Sequence, residues 1–138
     1  MDKRIIASIC LLVFDFLWIG LYMGNQYKKQ VKTIQGGKMK VNIIFAILAY
    51  ILMVVGMCVF VMPNVRHSHA LVDSLAYGLT FGLVLYGVYD FTIAAVLSKW
   101  NIPLAIADVL WGGFVFFISA YILGFIFLDI SCKKIVTK

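Results

Sequence analysis

Apolar residues in this chain come in long unbroken runs instead of the one-in-three spacing of a soluble helix face or the alternation of a surface strand. Four such runs lie at about 5–24, 43–62, 75–97 and 104–128, separated by short polar stretches. A helix of about 20 mostly apolar residues crosses about 30 Å of hydrocarbon, and each run reaches that length. In lipid every backbone amide must be bonded internally, which leaves helices or a closed barrel. A barrel needs alternating apolar and polar positions in segments of about ten residues, and none is visible. The pattern predicts an all-α fold, a polytopic transmembrane four-helix bundle forming one integral membrane domain over 1–138, with both termini on one side.

The connectors refine this picture. The first run starts MDKRIIASICLLVF, like a signal peptide, but continues through Asp15 and Trp18 to Met23 without a small-residue cleavage site. It therefore reads as a retained span. In 25–42, Tyr27, Val31 and Ile34 recur at i, i+4 and i+7 with lysines between them, ahead of Gly36-Gly37. That predicts a short amphipathic helix lying on the membrane surface, with a simple basic loop as the alternative. Lys28, Lys29, Lys32, Lys38 and Lys40 would meet lipid headgroups there. The second run carries no charge and ends at Pro63-Asn64. The next segment reads as a loop bearing His67, His69 and Asp73, a set without a fourth ligand and so without a predicted metal. Ser98 to Asn101, followed by Pro103, folds the third and fourth runs into a helical hairpin.

Composition agrees with a lipid setting. The chain is 64% hydrophobic and 13% charged, with a mean hydropathy of +1.02, where soluble proteins carry about 25% charged residues. Its net charge of +6 could suggest a nucleic-acid partner, but the basic residues flank the runs, where headgroups are the expected partner. Lys3, Arg4, Arg66, Lys133, Lys134 and Lys138 fall on the side of the termini. Lys28, Lys29, Lys32, Lys38, Lys40 and Lys99 fall on the other, so charge barely sets the orientation. The dense cluster after the first run tips that second side toward the cytoplasm. Cys10 and Cys58 read as small apolar core residues, and juxtamembrane Cys132 as a palmitoylation candidate.

Three aspartates interrupt the apolar runs: Asp15, Asp90 and Asp108. An acid facing lipid costs about 2.5 to 3.5 kcal/mol on insertion scales, so each should face the bundle interior. Counting 1.5 Å per residue, they lie about 9 to 14 Å below the side that carries the 25–42 connector. One polar core could therefore contain them, with Trp18, Tyr86, Tyr89, Thr92 and Trp111 as donors and aromatic walls. The D-x-L-W-x-G pattern occurs twice, at Asp15 and Asp108. Gly78, Gly82, Tyr86, Asp90 and Ala94 fall four apart on one helix stripe, where Gly78 and Gly82 admit a neighbouring backbone. Gly112 and Gly113 do the same for the following run.

Asp15-x-x-Trp18-x-Gly20, Tyr27, Tyr50, Gly56, Phe60, Gly78, Gly82, Tyr86, Tyr89-Asp90-Phe91-Thr92, Ala95, Trp100, Asp108 and Trp111-Gly112 together resemble a family of small membrane proteins known only as domain of unknown function 2177. The resemblance covers nearly the whole chain and is most specific from Gly78 to Gly112. It implies a four-span protein of bacteria and some large DNA viruses, with no assigned activity. The family usually carries Asn after Tyr-Asp-Leu-Thr, where this chain has Ile93.

Two functions follow from these residues. One is an acidic intramembrane core that binds or passes a small solute or proton. The other is a structural or assembly membrane protein, for example of a viral internal membrane, in which the acids are packing hydrogen bonds. Its partners would be the lipid bilayer and either further copies of itself or a partner membrane or capsid protein. An enzyme is disfavoured. Tyr89-Asp90 and Asp108 suggest an aspartyl-protease pair, but Ala105-Ile106-Ala107 replaces the expected Gly-x-Gly, and no Pro-Ala-Leu motif occurs. No nucleophile triad, phosphate loop or dinucleotide motif is present, so no catalytic residue and no cofactor is predicted.

Overall fold

The computed structural model describes the backbone of residues 3–136 and the side chains of residues 4–125. The readings placed on the side chains of Lys3, Cys132, Lys133 and Lys134, and on Lys138, lie outside those residues.

Helix α1 (Lys3–Trp18) passes through a π-helical turn (Ile19–Met23) into α2 (Gly24–Gln35). The junction never leaves right-handed helical geometry, and the Gly24 N–H donates to the Ile19 carbonyl. The connector expected to lie separately on the membrane surface is thus a continuation of the first span. Nothing between 19 and 24 breaks a helix, and Gln30 on α2 is buried, donating to the Lys99 carbonyl at 2.5 Å. The helix stops at Gly36, whose φ of 68° lets its N–H reach the Lys32 carbonyl. A residue with a Cβ would be strained in that left-handed conformation.

Asn42 caps α3 (Ile43–Gly56), its side chain accepting from the Ile44 N–H at 3.1 Å. A second π-helical turn (Met57–Val61) and a short 3₁₀ turn (Met62–Asn64) follow. The third helical stretch begins earlier than the loop expected over 65–73: a 3₁₀ turn (His67–His69) leads into α4 (Ala70–Asp73), a π-helical turn (Ser74–Leu79) and α5 (Thr80–Val96). Asp73 explains the early start. It accepts from the Arg66 backbone N–H and from the Arg66 guanidinium, each at 2.9 Å, so an acid in the first helical turn is both paired and favourably placed. After the turn at 97–101, the Asn101 side chain accepts from the Leu104 N–H and opens α6 (Ile102–Val136).

Among the described residues there is no strand, and Arg4–Gln35, Ile43–Asn64, His67–Val96 and Ile102–Phe125 are helical stretches long and apolar enough to cross a membrane. The protein is a multi-pass helical membrane protein. Association in lipid lacks a hydrophobic drive and depends on close fit, and the fit is closest between the third and fourth spans. A Cβ on Gly82 would overlap the Gly112 carbonyl and come within 2.9 Å of the Gly113 Cα. On Gly78 it would press on the Phe116 carbonyl at 2.9 Å. In the other direction, Gly112 makes room for the Tyr86 ring and Gly113 for Leu83 and Leu79.

The dry core occupies the half of the bundle nearer the termini. Ala7 and Leu11 of α1 meet Met57, Val61 and Met62 from the second span and Val115, Phe116, Ala120 and Leu123 of α6. Toward the opposite end α3 stands apart. Ile43, Ile44, Phe45, Ile47 and Leu48 are all exposed, and α3 is held mainly by its π-helical end. The bundle is tight below and open above.

Gly82→Leu should therefore overpack the hairpin and lower stability by about 1 to 3 kcal/mol, read as an earlier thermal transition in detergent. Gly20→Ala, whose Cβ meets nothing within 4 Å, should leave that transition unchanged.

Candidate functional site

The three intramembrane acids are all buried, at 4% (Asp15), 1% (Asp90) and 5% (Asp108) exposure. Asp15 accepts from the Tyr86 hydroxyl at 2.6 Å, with Tyr50 and Trp111 beside it. Asp108 accepts from the Trp18 indole N–H at 3.0 Å on one oxygen and from the Tyr27 hydroxyl at 2.7 Å on the other. Asp108 is close enough to both Asp15 and Asp90 to interact with them electrostatically. The acids form one cluster with Asp108 at its centre.

The repeated D-x-L-W-x-G segments meet face to face. Trp18 of the first stacks on Trp111 of the second, with ring centroids 4.6 Å apart and planes 8° from parallel. Each tryptophan also approaches the aspartate of the other segment. Trp18 completes its bond to Asp108, whereas the Trp111 indole N–H lies next to Asp15 without completing one. Tyr22 packs on the outer side of Trp18, centroids 5.0 Å apart.

Asp90 differs from the other two. Neither of its buried oxygens makes a hydrogen bond, and the Trp100 indole N–H near it is likewise buried and unbonded. An isolated buried carboxylate is far more costly than a buried neutral group. This position therefore calls for a proton or a cationic partner.

The gap left where α3 stands off from its neighbours is a cleft of about 640 Å³. Asp15, Tyr27 and Val31 line it from the first span, Ala46, Tyr50 and Met53 from α3. Tyr86, Tyr89 and Ile93 face it from α5, and Trp100 and Asp108 close it. At Ile93 the wall is aliphatic.

Of the residues proposed for the polar core, Trp18, Tyr86 and Trp111 gather around the acids and Tyr89 lines the cleft, its ring half exposed. Thr92 is exposed, two residues on from Asp90 and so on the opposite side of α5. Lys28, Lys29, Lys32, Lys38 and Lys40 are all exposed around α2 and the 36–42 connector. Residue-by-residue reasoning did not assign Tyr27, Tyr50 or Trp100 to the site. Their only signal was membership of the family pattern. Asp73, considered earlier with His67 and His69, spends its carboxylate on Arg66. Among the described residues no group of three or more His, Cys, Asp or Glu side chains is placed to hold a metal ion.

Fold and site together define a polytopic helical membrane protein whose polar interior is an aspartate cluster beside an aromatic cleft. The chain belongs to the DUF2177 family, described as predicted membrane proteins, whose family model matches residues 3–126. No curated protein and no solved structure matches it.

Because Tyr86 bonds Asp15 directly, Tyr86→Phe and Asp15→Asn should be non-additive, with a coupling of about 0.5 to 3 kcal/mol in a double-mutant cycle of unfolding in detergent. Tyr86→Phe combined with Asp73→Asn, at the other end of the helix, should be additive.

Proposed function

We propose that the aspartate cluster is an intramembrane polar site that binds or passes a small solute or proton. The supporting observation is Asp90, fully buried, unbonded and beside Asp108. A purely structural acid is expected to have its oxygens satisfied, and ionisable groups inside spans are functional candidates by default. Asp108 lines the cleft and lies near enough to Asp90 to act on it electrostatically, so it is the group through which an occupant and Asp90 would communicate.

The bonds made by Asp15 and Asp108 favour a second reading, a structural or assembly protein in which these acids tie spans together. Tyr86 to Asp15, Trp18 to Asp108 and Tyr27 to Asp108 each join two different spans. An internal virion membrane, self-association and a capsid partner belong to this reading. Stoichiometric abundance in purified particles is the observation that would favour it.

In proteoliposomes, Asp15→Asn, Asp90→Asn and Asp108→Asn should each reduce proton or solute flux at least tenfold. Unchanged flux in all three would overturn the polar-site reading. Infrared carboxyl bands in lipid separate the two functions further. A band that responds to pH and vanishes in one Asn variant supports a site in exchange with its surroundings, whereas bands fixed from acid to alkaline pH favour structural bonds.

A further inference from the structure

The walls of the cleft carry a recognition pattern of their own. Five rings face it, those of Tyr27, Tyr50, Tyr86, Tyr89 and Trp100. Among the described residues its acidic groups are Asp15 and Asp108, and no Lys, Arg or His side chain contributes to the lining. Aromatic faces carry negative potential and attract cations placed over them, most strongly where water is excluded. Acids backed by aromatic walls therefore favour a positive occupant, repel an anion and offer a neutral apolar molecule no charge complementarity.

Four of the rings, all but that of Tyr89, are also held in place. Tyr50 stacks on Phe16 with centroids 4.8 Å apart, Tyr27 packs against Trp100 at 6.3 Å, and the Tyr27 and Tyr86 hydroxyls are anchored on Asp108 and Asp15. A ring so fixed loses little freedom on binding. The volume of about 640 Å³ lies within the range of sites for drug-sized molecules. Entry is from the side. Leu52 of α3 and Tyr89 of α5 line the cleft yet are 69% and 51% exposed, so the cleft opens between these helices onto the surface that faces lipid.

We propose that the cleft between α3 and α5 binds a lipophilic organic cation that enters from the bilayer, its charge set between the aromatic rings and the Asp15–Asp108 pair. This rests on the polar-site reading and names the class of solute that the site takes. The remaining apolar lining, from Val31, Met53, Leu85 and Ile93, would hold the substituents of the cation.

The test compares two probes of the same shape and opposite sign, tetraphenylphosphonium and tetraphenylborate, titrated calorimetrically into the protein in an uncharged detergent. The expected result is saturable binding of the cation alone. Tyr50→Leu and Tyr89→Leu, which keep apolar volume but remove the ring, should each weaken it about three- to thirtyfold. Asp15→Asn and Asp108→Asn should weaken it further. Equal binding of both ions, as expected for a groove filled by a lipid tail or by a helix of a second copy, overturns the proposal, as does absence of cation binding to the wild type. Acid-dependent flux without cation binding would overturn the cation while leaving the polar site standing. Cation binding indifferent to both Asn variants would overturn the assignment of its charge to these acids.

Discussion

Asp108 is a point at which several spans are joined by polar bonds and not only by packing. Trp18 reaches it from α1, Tyr27 from α2, and Asp90 stands beside it on α5, while Asp108 itself belongs to α6. In hydrocarbon such groups have no solvent to fall back on, so a buried acid must collect donors from other helices or remain uncompensated. Asp108 collects two, and Asp15 takes a third from Tyr86. These bonds determine which faces of the first, third and fourth spans look inward. The stacked Trp18 and Trp111 rings fill the space between the two bonded acids.

Side-chain size then divides the bundle into two regimes. Where Gly78, Gly82, Gly112 and Gly113 admit their neighbours closely, the third and fourth spans form a close-packed hairpin. Farther along, α3 stands off from its neighbours, and Ile43, Ile44, Phe45, Ile47 and Leu48 in its first half are exposed. The same stripe along the third span begins as a packing surface at Gly78 and reaches the cleft at Tyr86, with Asp90 buried one turn beyond it.

The all-helical membrane architecture was legible because run length in lipid is dictated by bilayer thickness and backbone bonding, which leave few alternatives. Convergence of the three acids could be anticipated from depth, since an acid cannot face lipid cheaply and all three sit at similar height. The partners were harder to see. Tyr27 lies among lysines, and its amphipathic spacing suits a membrane surface as well as a bundle interior. Tyr50 lies in a run with no charge, where a single aromatic hydroxyl gives no sign of an acid across the gap. The early start of the third helical stretch depends on Arg66 closing on Asp73, a contact between two residues that each read as loop. Thr92 shows the converse, a polar residue next to an important acid that faces outward because a helix turns about 200° in two steps.

The π-helical turn at Ile19–Met23 has a consequence for how this site could arise or be lost. Trp18 and Tyr27 are nine positions apart, which in an uninterrupted α-helix would put them on nearly opposite faces, at about 100° per residue. Both nevertheless bond the same carboxyl group, because the wider turn between them resets the phase of everything downstream. The pairing is therefore encoded in a residue count as much as in residue types. Deleting the codon of Ile19, Leu21 or Met23 would preserve every charged group and all the aromatic rings, yet rotate α2 by roughly a quarter turn or more and carry Tyr27 away from Asp108.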